Sequence, residues 1–520
     1  MAKDVKKGFL VQGGILALAG ILVRVIGMLY RIPVVNIIGS DGNGIYSAAF
    51  NVYNIILVLS SYGLPMAVSK LVSARLAKKE YKAAWKLTIT ALKVSLVTGG
   101  LACLFLFFGS NWIENALYPG VTGMAIPLRV LAPTVFIVAV LGVFRGFAQG
   151  HGMMTPTAVS QIVEQIVNAG VSIGAGYLLM QAYANSGNAP AYGAAGSTLG
   201  TCLGAGAALL FFLFLFLKSR KKIMANVATD EHAAPDTESM VKLIILTMIP
   251  IILGQTFNNI NNVIDDILFN NTAIATMSSE MVKKQMGNYA TSYILLLSIP
   301  QGIASAMSAS LLPSIVRSYT NHDYRSVRRK LRSTIRLNML IAIPCFIGLT
   351  TLGKPVIQIL FSKYNANEGD MMLKIGAAAV IFFTLQTVTT SALQGIDQLM
   401  LPVKHSVYAL IVHVVLVVGL LRFTNLGIYS LVIGTMTFPL MVMILNLYQL
   451  RKRIHYRQEI VKTFIVPFIC AGIMGVCITF AYNAMVSWTG IRIVALGVAM
   501  VVAFITYFVP LVVLKELKLY

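Results

Sequence analysis

The sequence predicts an all-α polytopic membrane protein of about 14 transmembrane helices: two six-helix lobes in pseudo-twofold arrangement, followed by two C-terminal helices. Three observations predict it. The 520 residues are 57% hydrophobic and only 11% charged, where a soluble protein carries about 25% charged residues. Two motifs each occur twice, Gln149-Gly150 with Pro156 against Gln394-Gly395 with Pro402, and Glu80-Tyr81-Lys82 against Asp323-Tyr324-Arg325. Their offsets are 245 residues (149 to 394) and 243 residues (80 to 323), so a long unit is duplicated. Third, basic residues alternate between rich and poor connections along the chain.

Apolar segments long enough to span, at about 20 residues each, lie near 9–30, 46–69, 85–109, 124–148, 156–181, 193–217, 242–268, 286–312, 334–361, 373–396, 403–421, 427–450, 460–485 and 490–514. Lys3, Lys6 and Lys7 precede the first, as in a signal peptide. The run continues through Arg24 without a clear small-residue cleavage site, which predicts a retained helix. With the N-terminus inside, 30 of the 41 basic residues fall on inner segments, 8 on outer ones and 3 within spans. That bias predicts a multi-pass protein of a cell membrane with both termini cytoplasmic. It also explains the net charge of +23 without nucleic acid, since these residues set orientation and meet anionic lipid. The five cysteines lie in apolar stretches without metal-ligand spacing and read as small buried residues, so no metal is expected.

The stretch 218–241 is the most polar and reads as a flexible cytoplasmic linker. The expected organisation is an N-lobe at 1–217, the linker, a C-lobe at 242–450 and a helix pair within 451–520. Gln-Gly would end a helix and Pro start the next, making tight inner turns. The basic runs Lys78–Lys82 and Arg325–Arg336 look amphipathic, with Tyr81 and Tyr324 at headgroup level. They read as topology signals with lipid contact, or as a headgroup funnel.

Ionisable and amide groups at membrane depth mark candidate cavity residues. Arg24 and Arg31, seven residues apart, share one helix face and suit bidentate binding of phosphate; an ion pair and snorkelling are the plainer readings. Glu164 shares a face with Gln161 and Asn168, and calls for an arginine partner, Arg24 or another, or else a proton or cation. Gln255, Asn258, Asn262 and Asp265 form a stripe on the seventh span, lining a cavity or packing on a polar helix. Asp265 and Asp266 are also placed for simple solvation at the outer face. Arg145 reads as an inner boundary marker. Pro300 and Gly302 predict a kink or unwound turn in the eighth span.

The segment SIPQGIASAMSASLLPSIVRSY (298–319) and the pattern Arg24-Val25-Ile26-Gly27 resemble the MurJ-type lipid II flippases. YGLPMAVSKLV (62–72) and FRGFAQGHGMMTPTAVSQIVEQ (144–165) are similar to the SpoVB/YtgP branch of polysaccharide biosynthesis proteins, within the multidrug/oligosaccharidyl-lipid/polysaccharide exporter superfamily. The resemblance covers nearly the whole chain. It implies two six-helix lobes around a central cavity and an added pair lining a lipid-facing groove. It also implies alternating access that carries a sugar linked to undecaprenyl pyrophosphate, lipid II above all, to the outer leaflet for peptidoglycan synthesis. Arg24 matches a functional arginine of that family. Arg31 matches the second only with one residue inserted, Leu295 stands where MurJ proteins place an arginine, and no arginine occurs at 53–65.

Two other readings stay open at this point: a flippase for another polysaccharide precursor, and a cation-coupled multidrug exporter of the MATE type. No nucleotide-binding motif is seen and no cofactor is expected. Coupling would fall to membrane potential, mass action, or a Na+ or H+ gradient. Cell-wall synthesis enzymes are candidate partners. A sugar-polymerising enzyme is disfavoured, because the outer loops are short and their acids Asp41, Glu114, Glu280, Glu368 and Asp370 show no catalytic pairing.

Overall fold

The computed structural model describes residues 2–232 and 236–516, which are helical nearly throughout. Contacts cluster into two compact units, residues 1–284 and 285–520. In the first unit, α1 (Ala2–Leu57) runs past a break at Gly39, whose φ of 70° with ψ of −176° lies in a region open essentially to glycine alone. A π-helical turn (Val58–Tyr62) leads into α2 (Gly63–Ala77). Then follow α3 (Tyr81–Leu117), α4 (Ala125–Gly150), α5 (Thr155–Ala182), α6 (Ala189–Ala228) and α7 (Thr237–Ala273). The short α8 (Ser279–Asn288) crosses the boundary between the units.

The second unit holds a π-helical turn (Tyr289–Leu295), α9 (Leu296–Thr320), α10 (Tyr324–Leu360), α11 (Ala366–Gly376) and α12 (Ala379–Gly395). It continues through α13 (Met400–Phe423), α14 (Tyr429–Ile454), a third π turn (Val461–Ile465), α15 (Val466–Thr489) and α16 (Arg492–Glu516). Each of the 14 expected spans falls on helix. Among the described residues, 10 helices are long and apolar enough to cross a membrane alone, or 11 with the bent pair α11–α12. The remainder are accounted for by the first two spans, fused here through α2, and by the amide-rich α7 and the α8–α9 region.

The repeated motifs build repeated corners. Lys79 and His322, one residue before Glu80 and Asp323, both adopt left-handed backbone, at φ 62° and 56°. The backbone bonds match: Glu80 N donates to the Arg75 carbonyl, and Asp323 N to that of Ser318, at 3.0 and 2.9 Å. At the other motif the left-handed residues are Gly152 (φ 76°) and Asp397 (φ 62°), two beyond each Gly. Gly150 and Gly395 are therefore the last helical residues, not the residues after the helix, and their value is close packing. A Cβ on Gly150 would lie 2.9 Å from the Val72 Cβ of α2, and one on Gly395 would lie 2.6 Å from the Ile315 Cγ2 of α9.

The expected linker is largely helical. α6 runs to Ala228 and α7 begins at Thr237, capped by Asp236, which accepts from Ser239 N at 3.2 Å. Asp230 ties the connection to the α2–α3 corner by accepting from Lys82 N at 2.6 Å. α7 packs on α1, α2 and α3, so the contact boundary falls after Lys284 rather than at 218–241. The amphipathic reading of Arg325–Arg336 is realised in α10, where Val327, Leu331 and Ile335 are fully buried at one-turn spacing.

Candidate functional site

Short turns fix what the first unit can bring together. α4 and α5 form a hairpin through His151–Met154, which places Arg145 beside the opening turns of α5. Its Nη2 donates to Glu164 Oε2 at 2.7 Å, and its Nε to the Ser160 hydroxyl at 3.1 Å. The side chains are 14% and 25% exposed, so the pair is largely desolvated. Arg145 is thus the partner that Glu164 demands, and more than a boundary marker. The tight turn sets both near one depth.

Above this pair, α5 and α6 make the most extensive helix contact in the chain. Gly196, Gly200 and Gly204 of α6 stand four residues apart on one face, and a Cβ on any of them would strike α5. At Gly204 it would lie 2.6 Å from the Glu164 carbonyl oxygen. Small residues let helix backbones approach where lipid offers no hydrophobic drive. Asn168 is buried in this seam: its amide donates to the Tyr30 hydroxyl of α1 at 3.2 Å, and its Oδ1 accepts from Ser172 at 2.8 Å. Gln161 is half-buried on the same face of α5.

The two arginines of α1 have different surroundings. Arg24 is exposed, among exposed Leu22, Val25 and Leu29. Arg31 is half-buried and lies over the Tyr46 ring, 5.3 Å from its centroid, with Tyr46 stacked on Phe50. Arg24 is thus a solvent- or lipid-accessible residue, whereas Arg31 is engaged by an aromatic ladder.

On α7 the expected stripe divides. Gln255 is half-buried and Asn262 exposed, whereas Asp265 is buried; the Asn258 side chain lies outside the described residues. Asp265 and Asp266, for which solvation at the outer face is the plainer reading of the sequence, are 3% and 6% exposed. Asp266 accepts from the Asn51 amide of α1 at 2.8 Å, and Asn270 accepts from Gly120 N at 2.8 Å. A tight helix packing on α1 takes the solvent that an outer-end position would supply. At Pro300 and Gly302 α9 stays helical rather than unwound, and a π turn stands just before it, at Tyr289–Leu295. The π turn ends five residues before Pro300, close to the carbonyl that proline's missing N–H cannot bond.

Three of the loop acids, Glu114, Glu368 and Asp370, make structural contacts. Glu114 accepts from Gly123 N and Ala125 N at 2.9 and 2.6 Å, closing the start of α4. Asp370 pairs with Lys374 at 2.7 Å, and Glu368 accepts from Asn288 at 2.7 Å. In the second unit, α15 and α16 dock on α10. Tyr507 donates to the Leu340 carbonyl at 3.0 Å, and Gly475 lies against Ile347. A groove of about 890 Å³ opens there, lined by Ile347, Thr351, Gly472, Thr479, Phe480 and Asn483 among others. Sequence reasoning missed a buried polar knot beside α12: His405 Nδ1 is 2.7 Å from Asn446 Oδ1, whose amide donates to Thr389 and Thr390. Its residues are scattered over three helices, so no local spacing announces it.

Comparison with known proteins agrees with this architecture. Residues 9–319 match the family described as polysaccharide biosynthesis protein. Lipid II flippase MurJ of Bacillus subtilis (strain 168) is 26% identical over 476 residues, covering 89% of this chain and 86% of that protein. Stage V sporulation protein B of the same organism is 25% identical over 443 residues, covering 85% and 83%. Among solved structures, lipid II flippase MurJ in an inward closed conformation has a TM-score of 0.68 at 13% identity, covering 97% of this chain and 99% of its own. An inward-facing multidrug resistance MATE family transporter has a TM-score of 0.66 at 16% identity, covering 84% and 98%. The chain belongs to the polysaccharide biosynthesis protein family and has the fold that MurJ-type and MATE transporters share.

Proposed function

We propose that this protein is a flippase for a lipid-linked oligosaccharide, moving lipid II from the inner to the outer leaflet of a bacterial cell membrane by alternating access. The observation that carries this reading is the C-terminal helix pair on α10. The groove beside it offers an apolar lane for a polyprenyl tail, edged by small and polar side chains. The MurJ likeness extends over 97% of the chain, against 84% for the MATE transporter. Arg24, an exposed arginine on an apolar helix, is the residue we assign to the pyrophosphate, with Arg31 and Gln161 as lesser contributors. Both termini face the cytoplasm in this reading, and anionic lipids meet the basic inner rim. The chain acts as a transporter rather than an enzyme, cell-wall synthesis enzymes take up its product, and a Na+ or H+ gradient or the membrane potential supplies the drive.

A cation-coupled drug exporter is the second reading, favoured by the MATE likeness and by Glu164. It is the weaker one, because Glu164 already has Arg145 as its cation. The test is complementation of a strain depleted of its own lipid II flippases, with outer-leaflet lipid II measured directly. We expect rescue by the wild type and loss of rescue by Arg24→Ala with normal membrane levels. Unchanged outer-leaflet lipid II on expressing the wild type would overturn the proposal.

A further inference from the structure

We infer that the second unit carries a built site for the phosphate of an inner-leaflet anionic lipid, at the end of α14. A pocket of about 360 Å³ is lined there by Tyr448, Arg451, Lys452, His455 and Arg457. Four of these five side chains are basic or imidazole donors, and all five are exposed. Between residues 398 and 515 the sole acidic residue is Glu459. Phosphate is the ligand class for such a set, since arginine presents a fork that matches its oxygens.

Three further features show that the pocket is held in shape. A helix C-terminus ordinarily repels anions, because its last carbonyls carry negative partial charge. Here Arg328 of α10 donates to the Ile454 carbonyl at 3.0 Å, and Arg332 reaches the Arg457 carbonyl at 3.5 Å. These guanidinium groups offset the terminal carbonyls and strap the segment that follows α14. Tyr456 is buried beneath it, 2% exposed, with its hydroxyl donating to Gln458 at 2.6 Å. His455 closes the helix in left-handed backbone, φ 52° and ψ 37°, a conformation that strains a non-glycine residue. Glycine is the usual residue there; an imidazole in its place points to a use for the side chain.

Location decides between a lipid and free phosphate. Arg451 ends an apolar span, so the pocket lies at headgroup depth on the side rich in basic residues. Exposed Ile444, Ile460, Val461 and Ile465 flank it and would meet acyl chains. The occupant is therefore an amphipathic phosphate, of the phosphatidylglycerol type. This goes beyond general lipid contact by the basic rim, and it stands whether or not lipid II is the cargo.

The full-length protein in neutral detergent is titrated with phosphatidylglycerol, phosphatidylcholine or inorganic phosphate, and bound lipid is counted by native mass spectrometry. We expect retained phosphatidylglycerol for the wild type. The Arg451→Ala/Lys452→Ala/Arg457→Ala variant should weaken it by at least about tenfold, while the charge-matched Lys354→Ala/Lys363→Ala/Arg422→Ala variant, at exposed positions away from the pocket and the basic rim, leaves it intact. Equal weakening in both variants, or none in the first, overturns the site. Competition by inorganic phosphate as strong as by the lipid overturns the lipid assignment. If the triple variant fails to fold, His455→Gly serves instead: it relaxes the backbone, so weaker lipid retention with unchanged or higher thermal stability supports the site, and unchanged retention overturns it.

Discussion

Arg145 and Glu164 meet across the α4–α5 hairpin at 2.7 Å, with Ser160 taking a further arginine donor. Breaking such a pair leaves one charge short of a partner in low dielectric. Because both groups retain some solvent, Arg145→Ala or Glu164→Ala should each destabilise by about 1–3 kcal/mol, between the surface and fully buried cases. Arg145→Met/Glu164→Leu should cost less than either single change. The charge-reversed pair Arg145→Glu/Glu164→Arg should recover part of the loss. Thermal melting in detergent reads the stability, and complementation reads whether the pair also serves transport. Additive single effects would show that the two residues do not interact.

At the repeated corners, packing and backbone freedom are divided between different residues. Gly395→Val should lower stability by about 1–3 kcal/mol through overpacking against Ile315. Asp397→Gly should raise it by up to about 1 kcal/mol by relieving left-handed backbone. Melting temperatures of the two variants check both signs. A harmless Gly395→Val would show that the contact with α9 yields freely.

The α5–α6 seam predicts a sharp contrast between glycines of one helix. A Cβ on Gly200 collides with Ser172 and the Asn168 carbonyl, whereas one on Gly206 meets nothing within 4 Å. Gly200→Leu should remove most folded protein from the membrane. Gly206→Ala should be neutral or add up to about 1 kcal/mol through helix propensity. Folded yield by fluorescence-detected size exclusion distinguishes them.

Asp230 gives a pH dependence with a definite sign. Backbone N–H groups of Lys82 and His232 donate to its carboxylate and hold its pKa down at about 2, against 3.8 ordinarily. A depressed acid contributes stability that is complete above the ordinary value and fades as pH falls toward 2. Amide exchange at Lys82 should therefore stay slow from pH 8 to about 5 and accelerate, beyond its intrinsic change, only below about 4. In Asp230→Ala it should be fast throughout. Exchange that rises near neutral pH would contradict the assignment.

The helices and the duplication were legible because hydropathy and spacing are local signals. So was the face shared by Gln161, Glu164 and Asn168, which follows from helix geometry alone. What the sequence hid was the identity of partners. Glu164 could choose among several arginines, and only the turn at 151–154 selects Arg145. Asp265 and Asp266 lie near a span end, yet packing on α1 removes them from water. The linker misled for a related reason: a polar, charged stretch reads as flexible, but here it extends α6 and is tied down by Asp230.

The attachment of α15 and α16 makes this part of the chain modular. Both helices pack chiefly on each other and on α10, so α10 acts as host to a graft. The pair asks little of the rest of the unit, because one helix supplies most of its seat. The same economy makes the graft separable: a chain ending after Ile454 should lose the groove and keep its body.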